Sequence, residues 1–118
     1  MRISSAIIAC VIIAASAAPA FAKDWGEIKC DKAQAADEKA ICGSIELVQR
    51  DAQMSVEYGL LRGFLAMGGR GALTDEQHEW LKSRRACGGD VMCLRKAYED
   101  RIKVLETGLG RVGKFGPF

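Results

Sequence analysis

Cysteine is the residue type with the most to say about chemistry in this chain. Five occur, and four of them, Cys30, Cys42, Cys87 and Cys93, remain once a cleavable leader containing Cys10 is set aside. An even set of thiols in an exported protein marks a disulfide framework, although four cysteines admit three pairings. Proximity favours Cys30 with Cys42 and Cys87 with Cys93. Closed loops of roughly 13 and 7 residues would contribute about 3 and 2 kcal/mol on the loop-entropy description, against a total stability of about 5–10 kcal/mol for a small domain. Zinc and redox sites use C-x-x-C pairs, and neither spacing here is of that kind. The expectation is therefore two structural bridges, no metal and no cofactor.

No other set of residues suggests catalysis. His78 is the only histidine and sits among Asp75, Glu76 and Glu79, where a solvated helix surface is its ordinary setting. Ser44, Ser55 and Ser83 have no histidine at a suggestive spacing, and no G-x-S-x-G turn occurs. Carboxylate pairs such as Asp24 with Glu27, or Glu99 with Asp100, are what a charged helix surface routinely supplies. Asp51 is different, because it interrupts an apolar stripe between Leu47 and Met54, where a carboxylate needs a partner. Arg84, one turn after Trp80, can engage it bidentately while its stem covers the indole. The expected role of this pair is to fix helix register, since losing one partner of a buried pair is damaging. Arg70, flanked by Gly69 and Gly71, reads as a cation at a loop tip able to enter a partner's cleft.

The elements that hold these residues are all helical. Ala33 to Cys42 is a short Ala-rich helix candidate with Asp37 and Glu38 in its early turns, where the helix dipole favours acids. Gly43 ends it and Ser44 can cap the next. Leu47, Asp51, Met54, Tyr58, Leu61 and Leu65 then recur at alternating steps of four and three, one face of a helix of about six turns. Gly68 to Gly71 reads as a loop, and Thr74-Asp75-Glu76-Gln77 as a capping box opening a third helix that carries Trp80, Leu81, Arg84 and Cys87. Gly88-Gly89 stops it, and Asp90 can cap a last helix with Leu94, Tyr98, Ile102 and Leu105 on one stripe. Tyr58, Trp80 and Tyr98 are the expected core aromatics, and Met54 and Met67 are read as core or near-core. Gly108 to Phe118, with four glycines and a proline, reads as a flexible tail. No stretch alternates with period two. The fold class is all-α, a small disulfide-stapled helical bundle of two longer and two shorter helices, with neighbours antiparallel through short connections.

The first 22 residues read as a signal peptide. Arg2 is followed by an apolar run, Ile3 to Ala17, then Pro19 and a cleavage site at Ala20-Phe21-Ala22, leaving Lys23 first. A membrane anchor is disfavoured by Pro19 and that site, and the run before Cys10 is short for a lipobox. The domain is expected at 23–107, a length suited to one small core that benefits from covalent staples. Only Arg2 among the 17 basic residues is lost with the leader, so 16 face 15 acidic ones. Nothing in this near-neutral charge points to nucleic acid or an anionic membrane as partner.

The run Cys30-Asp31-Lys32-Ala33, then Glu38-Lys39-Ala40-Ile41-Cys42, then Leu47, Asp51 and Tyr58, resembles the opening of the LprI-type lysozyme inhibitor domain. Gln77, Trp80-Leu81, Arg84, Cys87, Cys93-Leu94, Tyr98, Arg101-Ile102 and Leu105 resemble its closing half. The resemblance implies a helical, disulfide-bonded envelope or secreted protein and, for the member that names the family, inhibition of lysozyme; the expectation for this chain is reversible binding of a c-type lysozyme without chemistry of its own. The naming member is a lipoprotein, whereas Ala22 cleavage here implies release into the periplasm. The competing expectation is a periplasmic structural or interaction module with another partner. Near-neutral charge gives such an inhibitor little electrostatic steering toward a basic lysozyme.

Overall fold

The computed structural model describes residues 27–115. The expected signal peptide, with Cys10, and Asp24 lie outside the described residues, as do residues 116–118. A 3-10 turn, Cys30–Lys32, leads into four helices: α1 (Ala36–Cys42), α2 (Ile45–Phe64), α3 (Met67–Ala86) and α4 (Val91–Phe115). No strand occurs among the described residues. The domain is thus the expected all-α bundle, and its bridges are Cys30–Cys42 and Cys87–Cys93. Among the described residues no helix is long and apolar enough to cross a membrane.

Local chemistry sets most of the boundaries. The Ser44 Oγ accepts the Leu47 amide at the start of α2, and Asp90 Oδ1 accepts the amides of Met92 and Cys93 at the start of α4. Both are N-caps of the kind serine and aspartate favour. Ahead of α1, the Glu38 carboxylate accepts the amides of Gln34 and Ala35, which holds its pKa below the ordinary value. Gly88 has φ of +55° in the turn after α3, a conformation that is strained for residues with a Cβ.

The long helices run up, down and up. Tyr58 meets Thr74 and Met54 meets Gln77, so α2 and α3 are antiparallel; Trp80 meets Ala97 and Gln77 meets Arg101, so α3 and α4 are too. The outer pair, α2 and α4, is therefore parallel, with Glu46 beside Arg95 at one end and Leu61 beside Gly108 toward the other. Short α1 closes the end where α2 and α4 begin, by inserting Ile41 and Asp37 into the interior. Both disulfides lie at this end. Leu47, Met54, Tyr58 and Leu61 of α2 pack with Leu94, Tyr98, Ile102 and Leu105 of α4 in the core, as their spacing predicts.

Two glycine-rich segments depart from expectation. Gly68 to Gly71 is not a loop, because α3 begins at Met67, eight residues before Asp75. The helical stripe of Gln77 and Leu81 extends back to Leu73, which is buried, and that burial outweighs the low helix propensity of glycine. Thr74 is interior, its hydroxyl donating to the Arg70 carbonyl, so the capping box is not used. Nor is 108–115 a flexible tail: α4 continues to Phe115. Leu105, Leu109 and Val112 extend the apolar stripe, and Gly108 lets the two parallel helices approach closely. A Cβ there would lie 2.6 Å from Leu61 Cδ2.

Candidate functional site

Three of the buried polar residues, Asp37, Asp51 and Arg84, converge at the stapled end. Arg84 and Asp37 are each only 2% exposed, and the Arg84 Nε donates to Asp37 Oδ2 at 3.1 Å. Arg84 Nη1 lies 3.9 Å from Asp51 Oδ1. The expected Asp51–Arg84 pair is thus present, but as the longer arm of an Asp37–Arg84–Asp51 triad. Asp51 has nearer partners: its Oδ2 accepts the Ile28 amide at 2.9 Å and its Oδ1 accepts the Tyr98 hydroxyl at 2.8 Å. It therefore ties the segment before α1 to the centre of the bundle. Burial raises the Asp51 pKa despite these donors and Arg84, because removing a carboxylate from water disfavours its ionised form. Burial, with the neighbouring Asp51 charge, also raises the Tyr98 hydroxyl, which remains a neutral donor.

The aromatic residues frame this triad. Tyr58 and Tyr98 are buried as expected; Trp80 is half-buried, and its indole N–H donates to the Ala97 carbonyl at 2.9 Å. Trp80 and Tyr98 meet edge to face with centroids 5.3 Å apart, and the Arg84 guanidinium lies 5.8 Å from the Trp80 ring. Midway along the bundle, Arg101 Nε donates to Gln77 Oε1 at 2.8 Å and Gln77 Nε2 donates to Met54 Sδ. Arg101 Nη1 reaches Glu76 at 3.5 Å. These groups hold the helices together.

Spacing alone does not reveal several of these partners. Asp37 looks like an ordinary N-terminal acid on α1, and only the docking of that helix turns it inward. Gln77 and Arg101 sit four residues before Leu81 and one before Ile102, so extending the apolar stripes by one polar position is the signal that points to them. The exposed lattice in which Arg95 grips both oxygens of Glu46, while Arg50 bridges Glu46 and Glu99, depends on the parallel register of α2 and α4. His78 is exposed, and among the described residues no three acidic, histidine or cysteine side chains are grouped to hold a metal.

The opposite end presents a surface. Gly69, Arg70 and Gly71 lie in the first turns of α3 and are exposed. Arg70 is no free loop cation, because its Nε donates to the carbonyls of Arg62 and Leu65 at 3.1 and 3.0 Å and so satisfies the open end of α2. Met67, read as near-core, is 87% exposed. It lines a shallow pocket with Arg62, Arg70, Gly71, Thr74 and Asp75, an apolar side chain in the company of two cations and a carboxylate. No protein-family model, curated protein or solved structure matches this chain.

Proposed function

We propose that this is an exported protein of the bacterial envelope, released into the periplasm, that inhibits lysozyme by reversible binding. The observation that carries the reading is the ordered set Cys30, Cys42, Trp80, Arg84, Cys87, Cys93 and Tyr98, which resembles the LprI-type inhibitor domain. Those side chains are engaged in bridges and packing, so recognition falls to the surface. The α2–α3 corner suits the task. Lysozyme's cleft carries two carboxylates about the scissile bond, and Met67 beside Arg62 and Arg70 offers an apolar tip with two cations of opposite sign to them, against one carboxylate, Asp75.

Calorimetric titration of a c-type lysozyme with the oxidised 23–118 chain tests this reading. Saturable binding is expected, weakened at least about tenfold when Met67→Ser and Arg70→Ala are combined, since truncating side chains at the centre of an interface has an effect of that size. Circular dichroism of the double variant separates a weakened interface from unfolding. Absence of binding to several c-type lysozymes would refute the proposal, whereas unchanged binding by the folded variant would move the binding surface elsewhere.

A further inference from the structure

Helix α2 is apolar on two opposite faces. One is the core stripe already described; the other points away from the bundle and carries Ile45 (81% exposed), Val48, Val56 and Leu60. Ile45, Gln49, Ala52, Val56, Gly59 and Gly63 recur along it at steps of four and three, the seam of a helix pair. No charged residue interrupts this seam. Its order is also self-complementary: with a second α2 laid antiparallel about position 54, Ile45 falls opposite Gly63, Gln49 opposite Gly59, Val48 opposite Leu60 and Ala52 opposite Val56. Residue i meets j as j meets i, as in any isologous two-fold interface, and in this register each larger side chain along the seam meets a smaller one.

Gly63 supplies a separate observation. It is exposed, and a Cβ added to it would meet nothing within 4 Å. Packing inside one copy therefore does not call for glycine there, as it does not at Gly68, Gly71, Gly110 or Gly113, although glycine disfavours a helix by about 1 kcal/mol relative to alanine. A partner's Ile45 seated over it does call for glycine. The fractional exposures of these apolar residues correspond to roughly 450 Å² per copy, within the range of the largest apolar patch on a monomer, and to at most about 900 Å² in a pair, the size of a weak interface.

We infer that the protein forms a weak, two-fold symmetric dimer through antiparallel packing of the outer faces of α2, with Ala52 and Val56 at its centre. This is independent of the lysozyme reading, and its test contains no lysozyme. Sedimentation of the oxidised 23–118 chain over micromolar to millimolar concentration is expected to show the average mass rising toward twice the monomer value. Ala52→Glu and Gly63→Gln should each hold it at the monomer value. Glutamine is the better helix former, so the Gly63→Gln chain should keep or raise its melting temperature, and loss of the dimer would not reflect unfolding. Orientation is read by disulfide trapping. A mixture of Ile45→Cys and Gly63→Cys chains should cross-link to each other, while Ile45→Cys alone should not, because its two copies would stand about 27 Å apart. A parent chain that remains monomeric throughout, doubling that persists in both seam variants, or self-linking of Ile45→Cys would overturn the inference.

Discussion

Arg84 faces two buried carboxylates and an indole, so its removal leaves charges without compensation. Arg84→Ala is expected to destabilise the fold by about 3–5 kcal/mol, the range for breaking one member of a buried ionic set. Arg84→Lys should recover little, because one ammonium group cannot bridge Asp37 and Asp51 with the planar fork of an arginine. Chemical denaturation of the two variants measures both effects; a parent-like midpoint for Arg84→Ala would show that the triad does not hold the fold. Asp51 adds a dependence on pH. Its folded pKa lies above the ordinary carboxylate value, so the folded chain binds this proton more tightly than the unfolded chain. Its contribution to stability accordingly falls as pH rises through the raised value. The melting temperature of the parent relative to Asp51→Asn should therefore decline as pH rises from the ordinary carboxylate range through the raised value, and a difference that stays flat would contradict the assignment. At this scale the sequence showed that Asp51 and Arg84 needed partners, since each interrupts an apolar stripe. It could not show that Asp37 is the nearer partner of Arg84, because that depends on where a seven-residue helix docks.

Among the elements, glycine was the poorest guide. The apolar stripes of α2 and α4 were legible residue by residue, and Ser44, Gly88 and Asp90 mark real boundaries. Both glycine-rich segments are nevertheless helical, one because Leu73 reaches the core and the other because Leu109 and Val112 do. Burial of a few leucine-sized side chains, at about 1.5–3 kcal/mol each, exceeds the propensity cost of neighbouring glycines. At Gly108 the missing side chain has a direct use. Gly108→Val should cost about 1–3 kcal/mol through overpacking against Leu61, measurable as a lowered urea midpoint. Pairing it with Leu61→Ala should restore part of the loss, and a valine variant as stable as the parent would mean that α2 and α4 do not meet closely there.

At the scale of the whole molecule, both disulfides, the Asp37–Arg84–Asp51 triad and α1 gather at one end and serve stability, while the proposed partner surfaces are the α2–α3 corner and the outer face of α2. The bridges suit an oxidising compartment, and the expected leader would deliver the chain there. The fold class and both cysteine pairings were legible from patterning. The surfaces were not, because exposure depends on helix docking and on where α3 begins. The reading of this scaffold as a lysozyme inhibitor is tested most directly by titrating muramidase activity on suspended cell walls with the folded, oxidised 23–118 chain. Reversible inhibition predicts a stoichiometric loss of lysis that is restored on dilution, with the enzyme recovered chemically unmodified. Undiminished lysis by several c-type lysozymes at saturating protein would contradict it.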